Sequence, residues 1–285
     1  MKSFIKHIII LLSSIFILTS CDDSEDIQPV AGEVTIDFDN IAIIDGVQRQ
    51  LQMVEPGNQD YQYENEMGQE FNITMLKYFV SSIVLEGPDG AYYEDPLEVT
   101  AAEAKGYYLI DEGESSSQRI TLENVPAGKY NKITFTIGVD EEGVVEGAAG
   151  GSLDPATNGM FWNWNSGYVA LKLEGHSEAS VGGASGNTVN PDIEHGMAYH
   201  VGGWKDIDGT AFVYNNKRLE YSFDTALNVD GTGEPNIHMV MDLLGLFKGT
   251  NAIDFSGNNN VHKPSDGKSL AENFKGAFAF DHIHQ

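Results

Sequence analysis

The chain has 285 residues and carries 43 acidic against 16 basic side chains, a formal charge of −27. That balance argues against nucleic acid as a partner and against electrostatic docking onto anionic lipid. One cysteine, Cys21, leaves no possibility of an intrachain disulfide.

Lys2 and Lys6 precede an apolar run from Ile8 to Leu18 that only Ser13 and Ser14 interrupt. The run is too short and too N-terminal to read first as a membrane span, and it predicts a secretory signal. It ends in "LTSC", an apolar residue, two small residues and Cys21, the pattern of a bacterial lipobox. Residues 1–20 are therefore expected to be a lipoprotein signal peptide, with Cys21 the lipidated first residue of the mature chain. Several acyl chains on one residue anchor a protein firmly. The mature chain would carry 43 acids against 14 bases, a charge of −29. The expected location is the outer membrane, facing the periplasm or the cell surface. Residues 21–32, opening "CDDSED", form an acidic tether, and residues 33–285 are expected to be one β domain.

Many short alternating runs punctuated by Gly, Asn and Asp predict an all-β fold. "EVTIDFDN" sets Val34, Ile36 and Phe38 against polar neighbours, and "VQRQLQMV" alternates as a half-buried or edge strand. "YFVSSIVLEGPDGAYYED" predicts two strands about a "GPDG" turn. "YYLID", "RITLENVPAGKYNKITFTIGVD", "YVALKLEG", "MAYHVGG", "GTAFVYN", "RLEYSFD" and "NIHMVMDL" continue the pattern. "LLGLF" adds a turn, and "DGKSLAENFKGAF" alone looks helical, with Ser269 as a candidate N-cap. The spacing predicts an antiparallel β-sandwich or barrel-like domain with long loops and a short C-terminal helix. The long polar loops fall at 55–70, 140–160 and 175–195.

Hydrolase and nucleotide motifs (G-x-S-x-G, H-E-x-x-H, the P-loop) are absent from the sequence. "DIDGT" from Asp206 and "DGTGE" from Asp230 resemble fragments of calcium loops, but neither completes an EF-hand ligand set. Most such loops are plain turns, in which Asp and Gly serve backbone geometry, and that is the expectation here. Seven histidines follow the signal segment. His282 and His284, in "FDHIH", would face the same way in an extended segment, a geometry that pinches a metal; a solvated tail has the same spacing. His200 opposes Met197, Tyr199 and Val201, and His238 opposes Ile237, Met239 and Met241. Each thus points away from an apolar face or into a polar pocket.

Trp162 and Trp164 sit two residues apart in "MFWNWNSGYVALKLEG". On one unbroken strand they would share a face with Tyr168, Lys172 and Glu174, opposite Val169, Leu171 and Leu173. A break at "NSG" would cancel that parity. Core packing and an exposed stacking platform both remain open on these grounds.

"NGMFWNWNSGYVALKLEG", with "FTIGVD", "NVPAGKY", "AYHVGG" and the ending "VHKPSDGKSLAENFKGAFAFDHIH", resembles the MbnP-like family over nearly the whole mature chain, including its Bacteroidetes lipoprotein branch. The resemblance implies an extracytoplasmic copper-binding protein that is not itself an enzyme. It also implies an MbnH-like dihaem cytochrome c peroxidase as partner, which converts a tryptophan to kynurenine. Opening the indole turns a donor-only side chain into an aromatic amine and a ketone with lone pairs. Carried onto this sequence, Trp162 or Trp164 is the modified residue. His200 is the first copper ligand, His262 the second, and His282 and His284 follow. Asn165 and Tyr168 would orient ligands from outside the coordination shell. The alternative is a surface carbohydrate-binding lipoprotein that stacks sugars on Trp162, Trp164 and Trp204.

Overall fold

A computed structural model of the chain describes residues 30–145, 150–180 and 194–285. In chain order the principal strands are β1 (Gly32–Ile44), β2 (Val47–Gln50), β3 (Glu70–Glu86), β4 (Tyr107–Asp111), β5 (Arg119–Val125) and β6 (Gly128–Ile137). They continue as β7 (Phe161–Asn163), β8 (Gly167–His176), β9 (Gly196–Gly202), β10 (Lys217–Val229), β11 (Asn236–Asp242), β12 (Asn260–Val261) and β13 (Phe278–His284). A helix at Lys268–Ala277 precedes the last strand.

Two sheets form a sandwich. The smaller runs β13-β11-β1-β2, with β5 also paired to β1. The larger runs β10-β6-β3-β8-β9-β12, with β4 on β3 and β7 on β8. The sequence predicts antiparallel pairing. That is the dominant pattern, but β1 pairs β11 in parallel from Thr35↔Asn236 to Ile41↔Asp242, and β9 pairs β12 in parallel. Long separations in sequence permit this, because the chain can cross the molecule between such partners.

Alternation places the core as the sequence predicts. Val34, Ile36 and Phe38 are fully buried between the sheets, while Thr35, Asp37 and Asp39 face outward. Phe38 meets Tyr78 edge-on at 6.1 Å and Phe135 at 5.5 Å, joining the two sheets. β8 and β9 differ from the other strands in being buried along their whole length. Their inner face packs on the smaller sheet. Across the outer face lies a second apolar cluster that includes Phe79, Leu153, Met160 and Tyr168.

Some local expectations are corrected. Ser269 is not the N-cap: the helix starts at Lys268 after a 3-10 turn, Pro264–Gly267, and Gly267 occupies the cap without a side-chain bond. "GTAFVYN" forms no strand beyond an isolated bridge, Lys205↔Phe212, and its Phe212 and Tyr214 are exposed. Without a face to bury, alternation alone does not hold a strand. "VQRQ" is an exposed edge strand, and "LLGLF" is a buried 3-10 turn capped by Asp242. The two acidic loops are turns. Asp208 Oδ1 accepts from Thr210 and Asp230 Oδ1 from Thr232. The expected loop at 175–195 lies largely outside the described residues.

Because Phe38 bridges the sheets through two aromatic contacts, Phe38→Ala should cost about 3–5 kcal/mol. Urea unfolding of the variant measures this, and a loss below about 1 kcal/mol would contradict the intersheet role.

Candidate functional site

The double-tryptophan stretch is a tight hairpin. β7 pairs β8 through Phe161↔Tyr168 and Asn163↔Gly167. Asn163 Oδ1 closes the turn by accepting from the backbone N–H groups of Asn165 (2.8 Å) and Ser166 (2.9 Å). The "NSG" break is therefore real, and parity counted along one unbroken strand does not apply. Gly167 has φ +80, and a Cβ there would lie 2.2 Å from Trp204 Cζ3, so only glycine lets that indole in.

The three indoles have different surroundings. Trp204 is 3% exposed, and Trp164 is 39% exposed with its ring edge-on to Phe161 at 4.9 Å. Trp162 is half-buried against the outer apolar cluster. Its Nε1 is buried and has no hydrogen-bond partner among the described residues. The ring rests on Gly203, where a Cβ would meet Trp162 Cζ3 at 3.0 Å and Pro264 Cγ at 3.1 Å. With Trp204 buried, the three tryptophans do not offer the shared sugar platform of the alternative reading.

His200 stands three residues before Gly203, and His262 two before Pro264. Leu171, Leu173, Tyr199 and Val201 point into the intersheet core, so Lys172, Glu174 and His200 take the outer face of β8 and β9. All three are at least 95% buried. Their mutual contacts satisfy them: His200 Nε2 lies 2.8 Å from Glu174 Oε1, and Lys172 Nζ lies 3.4 Å from the same oxygen. The bond to Glu174 favours the tautomer that carries its proton on Nε2 and leaves the Nδ1 lone pair to bind a metal. The His262 ring sits 4.6 Å from that of His200, and its Nδ1 is buried without a partner among the described residues. Two imidazoles and a carboxylate that orients one of them thus share the outer face on which the Trp162 indole also packs, against Gly203 and the apolar cluster.

The structure divides the predicted histidines. His282 and His284 lie on β13, on the outer face of the smaller sheet, and the sandwich core separates them from His200 and His262. The four cannot bind one ion. His282 Nε2 and His284 Nε2 are 3.1 Å apart, so the two do face the same way. His238, which the sequence did not place among the ligands, joins them across the β11–β13 pairing. Only strand register could have found it. Neither predicted orienting residue bonds an imidazole among the described residues. Tyr168 donates to Leu153 O at 2.6 Å inside the apolar cluster, and Asn165 packs beside Gly209. Glu174, which does orient His200, was visible in sequence only as an ordinary polar strand position. Cys21 lies outside the described residues.

Electrostatics favour neutral imidazoles at the outer-face pair. Burial pushes His200 below the ordinary value near 6.5, and Lys172 adds to this against the pull of Glu174. Burial lowers His262 as well, with His200 and Lys172 contributing. Burial pushes the Glu174 carboxyl up, but the His200 hydrogen bond and the charges nearby outweigh it, and the net shift is downward from 4.5. All three groups then bind fewer protons folded than unfolded, so stability falls on acidification. The histidine contribution is complete above about pH 6.5 and is lost as pH falls toward the folded values. The Glu174 contribution follows below about pH 4.5. The urea midpoint of the metal-free chain should therefore drop between pH 7 and pH 5. A His200→Gln/His262→Gln chain should show a flatter profile there; an equal slope in both would refute the assignment.

Comparison with known proteins agrees with this architecture. No curated protein matches the chain. Among solved structures the chain is similar to MbnP from Methylosinus trichosporium, at 15% identity and a TM-score of 0.50, over 78% of this chain and 83% of that one. That likeness is one of fold. The sequence profile of the MbnP family matches residues 31–263, the greater part of both sheets and the whole of the tryptophan hairpin, and the chain therefore belongs to the MbnP family.

Proposed function

We propose that this MbnP-family chain is a lipid-anchored, extracytoplasmic copper-binding protein, related to methanobactin systems, whose site comprises His200, His262 and an oxidised Trp162. It serves as carrier of the metal and as substrate of a dihaem peroxidase, not as a catalyst. The observation that carries this reading is the pair of buried, unpartnered nitrogens, Trp162 Nε1 and His262 Nδ1, on the face that also holds His200. Buried polar atoms without partners are costly, and those of functional sites are commonly satisfied by a ligand.

The donor chemistry fits copper. Imidazole suits copper in either common oxidation state, and Glu174 holds His200 in the tautomer that can ligate through Nδ1. An intact indole cannot ligate, since its N–H only donates. Oxidation by a haem partner that consumes two equivalents of peroxide cleaves the indole C2–C3 bond and adds two oxygen atoms, and hydrolysis of the resulting formamide releases C2 as formate, leaving the aromatic amine and ketone of kynurenine. Trp162 is favoured over Trp164 because it lies against Gly203 and Pro264, the segments that carry the two histidines, whereas Trp164 projects from the turn. Copper bound there would be held for uptake, delivery or storage. Cys21, at the end of "LTSC", supplies the anchor.

Peptide mass spectrometry on protein from its native host should find oxygen gained and a carbon lost at Trp162, with Trp164 intact. An unmodified Trp162 in cells with an active partner peroxidase would sink the modification. Copper(I) titration of the modified chain should show a site that His200→Gln weakens at least about tenfold, and unchanged affinity would remove His200 from it. Cys21→Ala should abolish acyl-chain labelling and release the protein from the membrane fraction.

A further inference from the structure

The outer face of the smaller sheet carries a cluster that the copper reading does not use. His238 on β11 stands directly opposite His282 on β13, with the rings stacked at 4.3 Å and 12°. His284 closes the third side, its centroid 5.1 Å from His238 and 4.8 Å from His282. One ligand nitrogen from each ring lies within 4.8 Å of the others.

Two details give this cluster the form of a metal site. The Nε2 atoms of His282 and His284 are 3.1 Å apart. At metal–nitrogen distances of about 2.0–2.1 Å, two tetrahedral ligands stand roughly 3.3 Å apart, and two adjacent square-planar ligands roughly 2.9 Å. The observed gap falls between these, so the pair already has the bite of a chelate. The third nitrogen closes by up to about 1.5 Å, within reach of a side-chain rotation. In addition, Asp281 Oδ2 lies 3.0 Å from His282 Nδ1. A carboxylate that accepts the Nδ1 proton leaves Nε2 as the free lone pair and raises its basicity, the usual support for a metal-bound histidine.

Charge acts in the same direction. His238 has Asp39 3.5 Å from Nδ1 and Asp37 3.6 Å from Nε2. Arg119 grips Asp37 through two hydrogen bonds of 2.6 and 2.7 Å, fixing that carboxylate. Asp39 makes no ion pair with a lysine or arginine among the described residues, since Arg119 is engaged by Asp37, so its carboxylate adds negative charge beside the His238 ring.

We propose that His238, His282 and His284 form a second metal site that takes a divalent transition ion, zinc(II) or copper(II), and that Asp281 is its positioning residue. Three imidazoles beside carboxylates suit these borderline ions, with copper(II) the tighter. The sandwich core separates this cluster from His200 and His262, so the site does not depend on the copper reading there.

Zinc(II) titration of the full chain, purified free of metal, tests the site. One equivalent should bind and raise the unfolding midpoint, and His200→Gln/His262→Gln should keep both effects. His282→Gln/His284→Gln should lose them. Both side chains are exposed on an edge strand, so the substitution should leave the metal-free midpoint unchanged. Asp281→Asn should weaken zinc about 10–100-fold without removing a ligand. Copper(II) bound to the His200→Gln/His262→Gln chain should show an electron paramagnetic resonance pattern of three nitrogens, falling to two in the further His238→Gln variant. Wild-type zinc affinity in His282→Gln/His284→Gln, or no stoichiometric binding by the parent chain, would overturn the proposal. Either result would leave copper(I) binding at His200 untouched.

Discussion

The centre of the larger sheet is buried on both faces, and this constraint shapes the outer-face site. Inward residues of β8 and β9 pack on the smaller sheet as any sandwich strand does. Outward residues cannot reach water, so a polar residue there must find a partner among its neighbours. Lys172, Glu174 and His200 meet that requirement with one another. A buried charge pair of this kind contributes little net stability, because desolvation offsets most of the attraction. Its effect is geometric: it fixes one imidazole in position and tautomer on an otherwise apolar face.

The hairpin that precedes β8 extends the same logic. Gly167 and Gly203 allow Trp204 and Trp162 to approach the backbone closely at the end of the sheet. The turn between them is closed by Asn163, not by a run of extended residues. The result places one indole in the interior, one half-buried against the outer apolar cluster and one toward solvent. Three copies of one residue type thereby acquire three different chemical availabilities.

On the smaller sheet, register is decisive. β1, β11 and β13 are far apart in sequence, yet Asp37, His238 and His282 fall in line across them. A shift of one residue in either pairing would turn an imidazole to the other face and dissolve the cluster. The irregularity between His238 and Met239 places Asp281 beside His282 while both histidines of "HIH" still face outward. The two histidine groups therefore share nothing but the core that separates them.

Much was legible in the sequence. Period-two alternation identified β1, β8, β9 and β11 and correctly turned His200 and His238 away from the apolar core, because a buried face imposes that period on the residues themselves. The hairpin element carried the family resemblance that the profile match bears out. Local chemistry also predicted the acidic loops as turns, since Asp and Gly set backbone geometry without help from distant residues. What the residues could not disclose were relations between segments remote along the chain: the parallel pairing of β1 with β11, the burial of Trp204, the contact of Glu174 with His200, and the meeting of His238 with His282 and His284. Alternation records which way a side chain points, but strand order and register depend on the free energy of the whole packed sandwich, and only the tertiary structure decides them.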